Sequence, residues 1–324
     1  MLRLPDKWVW DFWLARQGQD YHIFYLQAPR SLGDPELRHW NVSIGHAISQ
    51  DLRNWQILPD ALKPDTASGT WDNYTTWTGS VIRHDGLWHM FYTGTNSEER
   101  GRIQRVGLAT SGDLINWQKH PHNPLLTSSS SWYEEFGESS WHEQAWRDPW
   151  VFRHPRDGRF YALITARTRY GSSDGRGVIA SARSDDLVHW EVMPPVTESG
   201  AYGHMEVPQW AEIGGRYYLL FCVTQDVFSG LRRKRVGSSA LTGTYYRLAG
   251  QPLGPFRTDT EKILRADASG STYAGKMVKG PEGNWLFLCT RLYTPQGGFL
   301  GEIGDPLPIK VEEAGRLSVA EHRS

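Results

Sequence analysis

The sequence predicts an all-β chain folded as a five-bladed β-propeller, a single domain over residues 1–324. Three observations predict it: a short block recurs along the chain, five apolar runs precede or follow its copies at intervals of about 50 to 70 residues, and helical periodicity is nearly absent. The block reads small-Ala-x-Ser-x-Asp-Leu-x-x-Trp. Its copies are "GHAISQDLRNWQ" from Gly45, "GLATSGDLINWQ" from Gly107 and "IASARSDDLVHWE" from Ile179, and a fourth, degraded copy is read in "VGSSALTGTYYRL" from Val236.

The runs are rich in β-branched and aromatic residues, as strands are. In chain order they are "YHIFYLQ" from Tyr21, "WHMFYTG" from Trp88, "FYALITA" from Phe160, "YYLLFCV" from Tyr217 and "NWLFLCT" from Asn284. Each is expected to be a hairpin strand of one blade. The Asp-Leu-x-x-Trp element then forms a turn and returning strand, with Trp55, Trp117 and Trp190 packed between blades rather than in a site. A two-sheet sandwich is the alternative fold, but it predicts shorter, more even strand spacing without this block.

Composition narrows the function classes. A formal net charge of -1, with Lys and Arg scattered, offers no stripe for nucleic acid. No apolar run reaches the roughly 18 to 20 residues of a membrane span, and "MLRLPDKWVW" lacks a secretory apolar core, so a cytoplasmic location is expected. Cys222 and Cys289 sit in two separate strand-like runs without zinc-type spacing and read as buried free thiols. The 16 Trp and 14 Tyr suit stacking on a sugar ring as well as the strands of a β fold.

Against that background "WVWDFW" poses a question, because Asp11 is a lone carboxylate in an aromatic run and burial of an unpaired charge is costly. Two further acids occupy comparable places, Asp148 in "WRDPWVF" and Glu206 in "GHMEVPQW". Asp11 precedes Tyr21 by ten residues, Asp148 precedes Phe160 by twelve and Glu206 precedes Tyr217 by eleven. Equivalent positions on different blades face one axis, so the three acids are expected to meet in one pocket. "WTGSVI" stands eleven residues before "WHMFYTG" and brings Thr78 and Ser80 to the same level. Trp10, Trp13, Trp77, Trp146 and Trp150 surround the acids, and Arg147 would hold Asp148 ionised. Paired carboxyls of unequal pKa are what glycosidic-bond cleavage needs. Clustered oxygens also bind calcium or magnesium, although no D-x-D-x-D spacing occurs and no metal or cofactor is assigned. Acids that merely close turns are the other structural reading.

These motifs resemble a known family. "GHAISQDLRNWQILPDALKPD", "WTGSVI", "WRDPWVF" and "MEVPQW", in this order, are similar to glycoside hydrolase family 32, the invertases and fructanases. "DASGSTYAG" from Asp267 looks like that family's late Asp-x-Gly-x-x-Tyr-Ala element, which adds Tyr273 to the site. "VWDFW" resembles instead the Val-Trp-Asp-Ser-Trp nucleophile motif of the levansucrase family 68. The resemblance covers residues 8 to 310 and implies that the five-bladed propeller is a catalytic domain, expected without the C-terminal β-sandwich of family 32, with Asp11 as nucleophile, Asp148 as transition-state stabiliser and Glu206 as general acid/base. It implies Trp10 and Trp77 as walls of the first subsite, and Arg147 with Asp148 as holders of ring hydroxyls; His46 reads as structural. The implied activity is hydrolysis or transfer of a terminal β-fructofuranosyl unit from a small saccharide.

Departures bear on the substrate. Trp10 and Trp13 stand where invertases carry the amides of Asn-Asp-Pro-Asn-Gly, with Phe12 and Leu14 in place of its Pro and Gly, Ile44 replaces the Trp of Trp-Gly-His, and Val207 replaces the Cys of Glu-Cys-Pro. Loss of two amide partners changes ring preference, so another furanoside, such as an arabinofuranoside, is the alternative substrate. A sugar-binding propeller without catalysis is the alternative of a different class. Residues 126–146, rich in Ser and Glu, are expected to shape the outer subsite.

Overall fold

The computed structural model describes residues 1–320 and is a five-bladed β-propeller. Blade 1 holds β1 (Lys7–Gln17), β2 (Asp20–Pro29), β3 (Ser43–Ser49) and β4 (Gln56–Leu62). Blade 2 holds β5 (Thr75–His84), β6 (Leu87–Thr95), β7 (Arg105–Ser111) and β8 (Gln118–Lys119). Blade 3 holds β9 (Trp146–Arg153), β10 (Phe160–Arg167), β11 (Gly177–Ser184) and β12 (Glu191–Met193). Blade 4 holds β13 (Glu206–Ile213), β14 (Arg216–Val223), β15 (Thr242–Ala249) and β16 (Lys262–Asp267). Blade 5 holds β17 (Thr272–Lys279), β18 (Trp285–Tyr293), β19 (Phe299–Ile303), β20 (Leu307–Val311) and β21 (Leu317–Val319), with β18 paired to both β19 and β20.

All pairings within the blades are antiparallel, and the first strands β1, β5, β9, β13 and β17 adjoin one another in a closed cycle around the axis. Near the chain start, Leu2 and Ile303 exchange backbone hydrogen bonds, which ties blade 1 to blade 5. Five apolar cores follow, one at each blade interface.

The five apolar runs are the second strands, and alternation explains why they are apolar throughout. In β6, Met90 and Tyr92 face blade 1 while Phe91 faces blade 3. In β14, Leu219 and Phe221 face blade 3 while Tyr218 and Leu220 face blade 5. A strand buried on both faces loses the polar half of its pattern.

The repeated block is the third strand and the turn after it. Asp51, Asp113 and Asp186 each accept hydrogen bonds from the backbone amides two and three residues on, and the preceding Ser49, Ser111 and Ser184 bond the same carboxylates. These bonds depress all three carboxyl pKa values, with burial opposing them most strongly at Asp186. The following leucines, Leu52, Leu114 and Leu187, adopt φ of 62°, 65° and 68° and are fully buried. Trp117 packs edge-on against Phe24 of blade 1 and Trp190 against Phe91 of blade 2, while Trp55 joins the core between blades 1 and 5. Replacement of Asp113 by Ala should cost about 1 kcal/mol, read as a lower midpoint in urea, because two turn amides lose their acceptor.

The fourth copy is not a copy. Its first residues end a short helix, α1 (Gly230–Val236), and Thr242–Ala249 is the third strand of blade 4, so the resemblance to the block is out of register by a strand. Cys222 and Cys289 are both buried and free.

Candidate active site

Each first strand breaks its register at the same level of the channel. The pairing slips between Trp10 and Phe12 in β1, between Trp77 and Gly79 in β5, opposite Asp148 and Pro149 in β9, between Glu206 and Gln209 in β13 and between Tyr273 and Lys276 in β17. Such bulges leave a residue out of the ladder and re-aim its side chain. Four carry a non-glycine residue with positive φ: Asp11 (32°), Asp148 (57°), Val207 (45°) and Ala274 (49°). At β5 the crowding is met by Gly79, whose added Cβ would lie 2.0 Å from the Phe91 carbonyl oxygen.

The result is one functional side chain from every blade. Asp11, Thr78, Asp148, Glu206 and Tyr273 line a single open cavity of about 760 Å³, together with Trp10, Trp77 and Arg147. The Thr78 hydroxyl donates to Asp11 Oδ2 at 3.3 Å. Asp148 Oδ2 accepts from the Thr165 hydroxyl at 2.9 Å and from the Val207 amide at 3.0 Å. Arg147 forks between neighbours: Nη1 donates to Glu143 at 2.7 Å and to Gln104 at 3.1 Å, and Nη2 donates to Glu206 Oε1 at 2.7 Å. The Tyr273 hydroxyl donates to the other Glu206 oxygen at 2.5 Å.

These surroundings push the carboxyls apart. Burial, reinforced by Asp148 and Glu206, raises Asp11 from 3.8 to about 7, against the pull of Arg38 and Lys276. Burial also opposes ionisation of Glu206, but His204, Arg147 and the Tyr273 hydrogen bond outweigh it and bring Glu206 down to about 2. Asp148 is raised by burial and Glu206, with Arg147, the Val207 amide and Thr165 opposing. The cluster's proton therefore resides on Asp11, and Glu206 is ionised. Among the described residues no three His, Cys, Asp or Glu side chains form a metal-ligand group; Arg147 and Arg38 line this cavity as cations, and Lys276, which borders a separate cavity, acts on Asp11 from there.

Of the residues expected from sequence, Trp13 and Ser80 are not in the cavity. Trp13 is fully buried, stacks on Phe24 with ring centroids 6.1 Å apart, and borders a separate cavity lined by Trp150, Trp210 and Trp285. The Ser80 hydroxyl accepts the Val151 amide hydrogen bond at 2.9 Å and ties blade 2 to blade 3. Both lie two residues past the bulged position, and an advance of about 3.3 Å per residue carries them deeper along the channel. Trp146 is likewise buried, donating from Nε1 to the Leu126 carbonyl. His46 stacks between His22 and Phe24 in the blade and is structural.

Sequence reasoning missed Arg38, His39, Gln104, Glu143, His204 and Lys276. The first two arrive on a 3₁₀ turn, Pro35–Trp40, with Arg38 stacked near Trp10 and Trp77 Nε1 donating to the His39 carbonyl. Glu143 comes from the 126–146 loop, which the structure places over the cavity edge: His142 and Glu143 line it, and Trp141 covers the Arg167 guanidinium at 3.7 Å. Only the proximity of Glu143 to Arg147, four residues on, was readable beforehand.

The N-terminal domain model of glycosyl hydrolases family 32 matches residues 13–289. The chain belongs to that family. The match takes in the Asp148 and Glu206 motifs of family 32 and begins two residues after Asp11, in the segment where Trp10 and Trp13 replace the expected amides. Among family 32 relatives, an insoluble-isoenzyme β-fructofuranosidase of Arabidopsis thaliana is 31% identical over 195 residues, 59% of this chain and 32% of that one. A sucrose:sucrose 1-fructosyltransferase of Festuca arundinacea is 34% identical over 198 residues, 57% of this chain and 26% of that one. The chain thus spans matched segments of about a quarter to a third of these relatives' lengths. An inulosucrase from Halalkalicoccus jeotgali bound to kestose has the same fold, with a TM-score of 0.80, 23% identity, and 98% and 87% of the two chains covered.

Proposed function

We propose that this family 32 chain cleaves or transfers a terminal β-fructofuranosyl unit of a small saccharide through a covalent glycosyl-enzyme. The observation that carries the reading is the convergence of Asp11, Asp148 and Glu206 from three blades on one cavity, with Arg147 and Tyr273 gripping Glu206. Relatives named for fructosyl transfer between sucrose molecules and for an inulosucrase bound to kestose support the same substrate class.

In this reading Asp11 attacks the anomeric carbon while Glu206 protonates the departing glycosidic oxygen, and the sugar is then bonded to Asp11. Glu206 next takes a proton from water or from an acceptor hydroxyl, which displaces Asp11 and regenerates the acid. Asp148 and Arg147 hold ring hydroxyls as the ring flattens toward the oxocarbenium ion. Productive chemistry needs the proton on Glu206 and the charge on Asp11, the reverse of the placement their surroundings favour. A substrate hydroxyl that engages Arg147 draws it from Glu206 and favours that transfer. Because one shared proton is required, kcat/KM should fall on the alkaline side with an apparent pKa near 7, whichever carboxyl carries it.

Product analysis with sucrose and kestose, beside an Asp11→Asn control, tests the reading: fructose or longer fructosides are expected from the unmutated protein alone. An arabinofuranoside belongs in the same assay, since Trp10 and Trp13 in place of the two amides around Asp11 favour a ring held without amide partners. Turnover of that substrate and not of sucrose would overturn the fructoside assignment; turnover of none would favour a binding protein.

A further inference from the structure

Lys276 is buried, 2% exposed, on the border of the cavity that Trp13 and Trp150 line and within electrostatic reach of Asp11 and Asp148. Its Nζ donates to the carbonyls of Val207, at 2.6 Å, and of Pro208, at 3.2 Å. The peptide it grips matters, because Val207 follows Glu206 directly and is a β-branched residue held at φ 45°, a conformation such residues rarely adopt. The same residue's N–H donates to Asp148 Oδ2. Val207 is therefore clamped from both sides, by a carboxylate of blade 3 and an ammonium of blade 5, and Glu206 is carried on the clamped bulge.

The ammonium also faces the cluster electrically. Its charged and titratable neighbours are Asp11 on β1, Asp148 on β9 and Cys222 on β14, with the Trp150 ring 5.4 Å away. Asp11 in turn is faced by Asp148, Glu206, Arg38, Lys276 and the hydroxyls of Thr78 and Tyr273. Arg38 and Lys276 are the two cations that lower the Asp11 pKa. Arg38 already bonds Glu36 and the Pro35 carbonyl, whereas Lys276 bonds only neutral carbonyls; burial brings its own pKa from 10.5 down to about 8, against Cys222, Asp148 and Asp11, so at neutral pH it still carries a charge that acts on the cluster.

We propose that Lys276 is a positioning residue of this site: it holds the Glu206 bulge in register with Asp148 and supplies, from the channel side, the positive charge that lets Asp11 ionise. The proposal rests on the glycosyl-transfer reading for what Asp11 and Glu206 do. Removing the charge makes ionised Asp11 scarcer and the shared proton harder to lose. The plateau of kcat/KM then falls while its alkaline limb moves upward, a pairing that a purely structural defect does not produce.

The test compares Lys276→Gln, which keeps an N–H donor for the two carbonyls but not the charge, with Lys276→Met, which loses both. With sucrose, Lys276→Gln should lower the kcat/KM plateau at least tenfold and shift the alkaline limb up by about one pH unit. Lys276→Met should shift the limb equally and lower the plateau further. Without substrate, the melting-temperature gap between Asp11 and Asp11→Asn forms, followed against pH, should level off near pH 7 in the native background and about one unit higher in the Lys276→Gln background. An unmoved limb and an unmoved levelling point in a folded Lys276→Gln protein would overturn the proposal. If the unmutated protein cleaves no fructoside, the functional reading falls, and the substrate-free comparison still decides the role of Lys276.

Discussion

Asp11→Asn is expected to reduce sucrose turnover by about 10⁴-fold or more and, at the same time, to raise the melting temperature at pH 8 by several degrees. The loss follows from removal of the group assigned as nucleophile. The gain follows from linkage. Folding raises the Asp11 pKa from 3.8 to about 7, so the folded protein holds a proton that the unfolded chain releases. The stability this group contributes is fully present below pH 3.8 and is lost as pH rises through 7, a cost approaching about 4 kcal/mol at pH 8. Asparagine keeps the shape and removes the charge. Glu206→Gln should do the opposite to stability. Glu206 is depressed from 4.5 to about 2, so its contribution is present above pH 4.5 and lost only as pH falls through 2. Replacing it at pH 7 removes about 3 kcal/mol and frees Arg147 and Tyr273. Both variants should be inactive and should move in opposite directions in a thermal melt at pH 8. Equal shifts of the same sign would refute the location of the proton on Asp11.

Arg147→Met is expected to lower stability by about 3 to 5 kcal/mol and turnover by about 10³-fold. One guanidinium serves Glu143, Glu206 and the Gln104 side-chain oxygen by hydrogen bonds, and its Nε lies 3.7 Å from Asp148. Without it three enclosed carboxyls face one another unpaired, and their pKa values must rise. Arg147→Lys should rescue little, because a single ammonium cannot span Glu143 and Glu206 at once. Urea unfolding and sucrose hydrolysis read the two effects separately. Near-native activity in Arg147→Lys would show that the fork between the two glutamates is unnecessary.

Much of this site was legible in the sequence for reasons that can be named. The Ser-x-Asp-Leu-x-x-Trp block is local chemistry: an aspartate caps two amides of its own turn, a leucine follows, and a tryptophan returns to the interface. Local chemistry repeats as letters. Second strands stood out because both faces are buried, and the nearly constant distance from acid to second strand marked Asp11, Asp148 and Glu206 as equivalent. Thr78, Trp10, Trp77 and Arg147, at or beside the same positions, lie in the cavity too, as does Tyr273, which only the resemblance of "DASGSTYAG" to family 32 pointed to.

Other features belong to the assembled ring. A bulge places two residues against one and cancels simple alternation, so position along a first strand did not tell that Trp13 and Ser80 leave the cavity while Lys276 borders a separate one. Arg38, Gln104, Glu143 and His204 arrive from loops of different blades, with no common spacing to announce them. The placement of the proton is more remote still from the letters. Three carboxyls of similar intrinsic acidity, all enclosed, are separated by which partners each reaches, and those partners exist once the chain is closed: burial and its two acidic neighbours neutralise Asp11, while His204, the fork of Arg147 and the Tyr273 hydroxyl ionise Glu206 against its own burial.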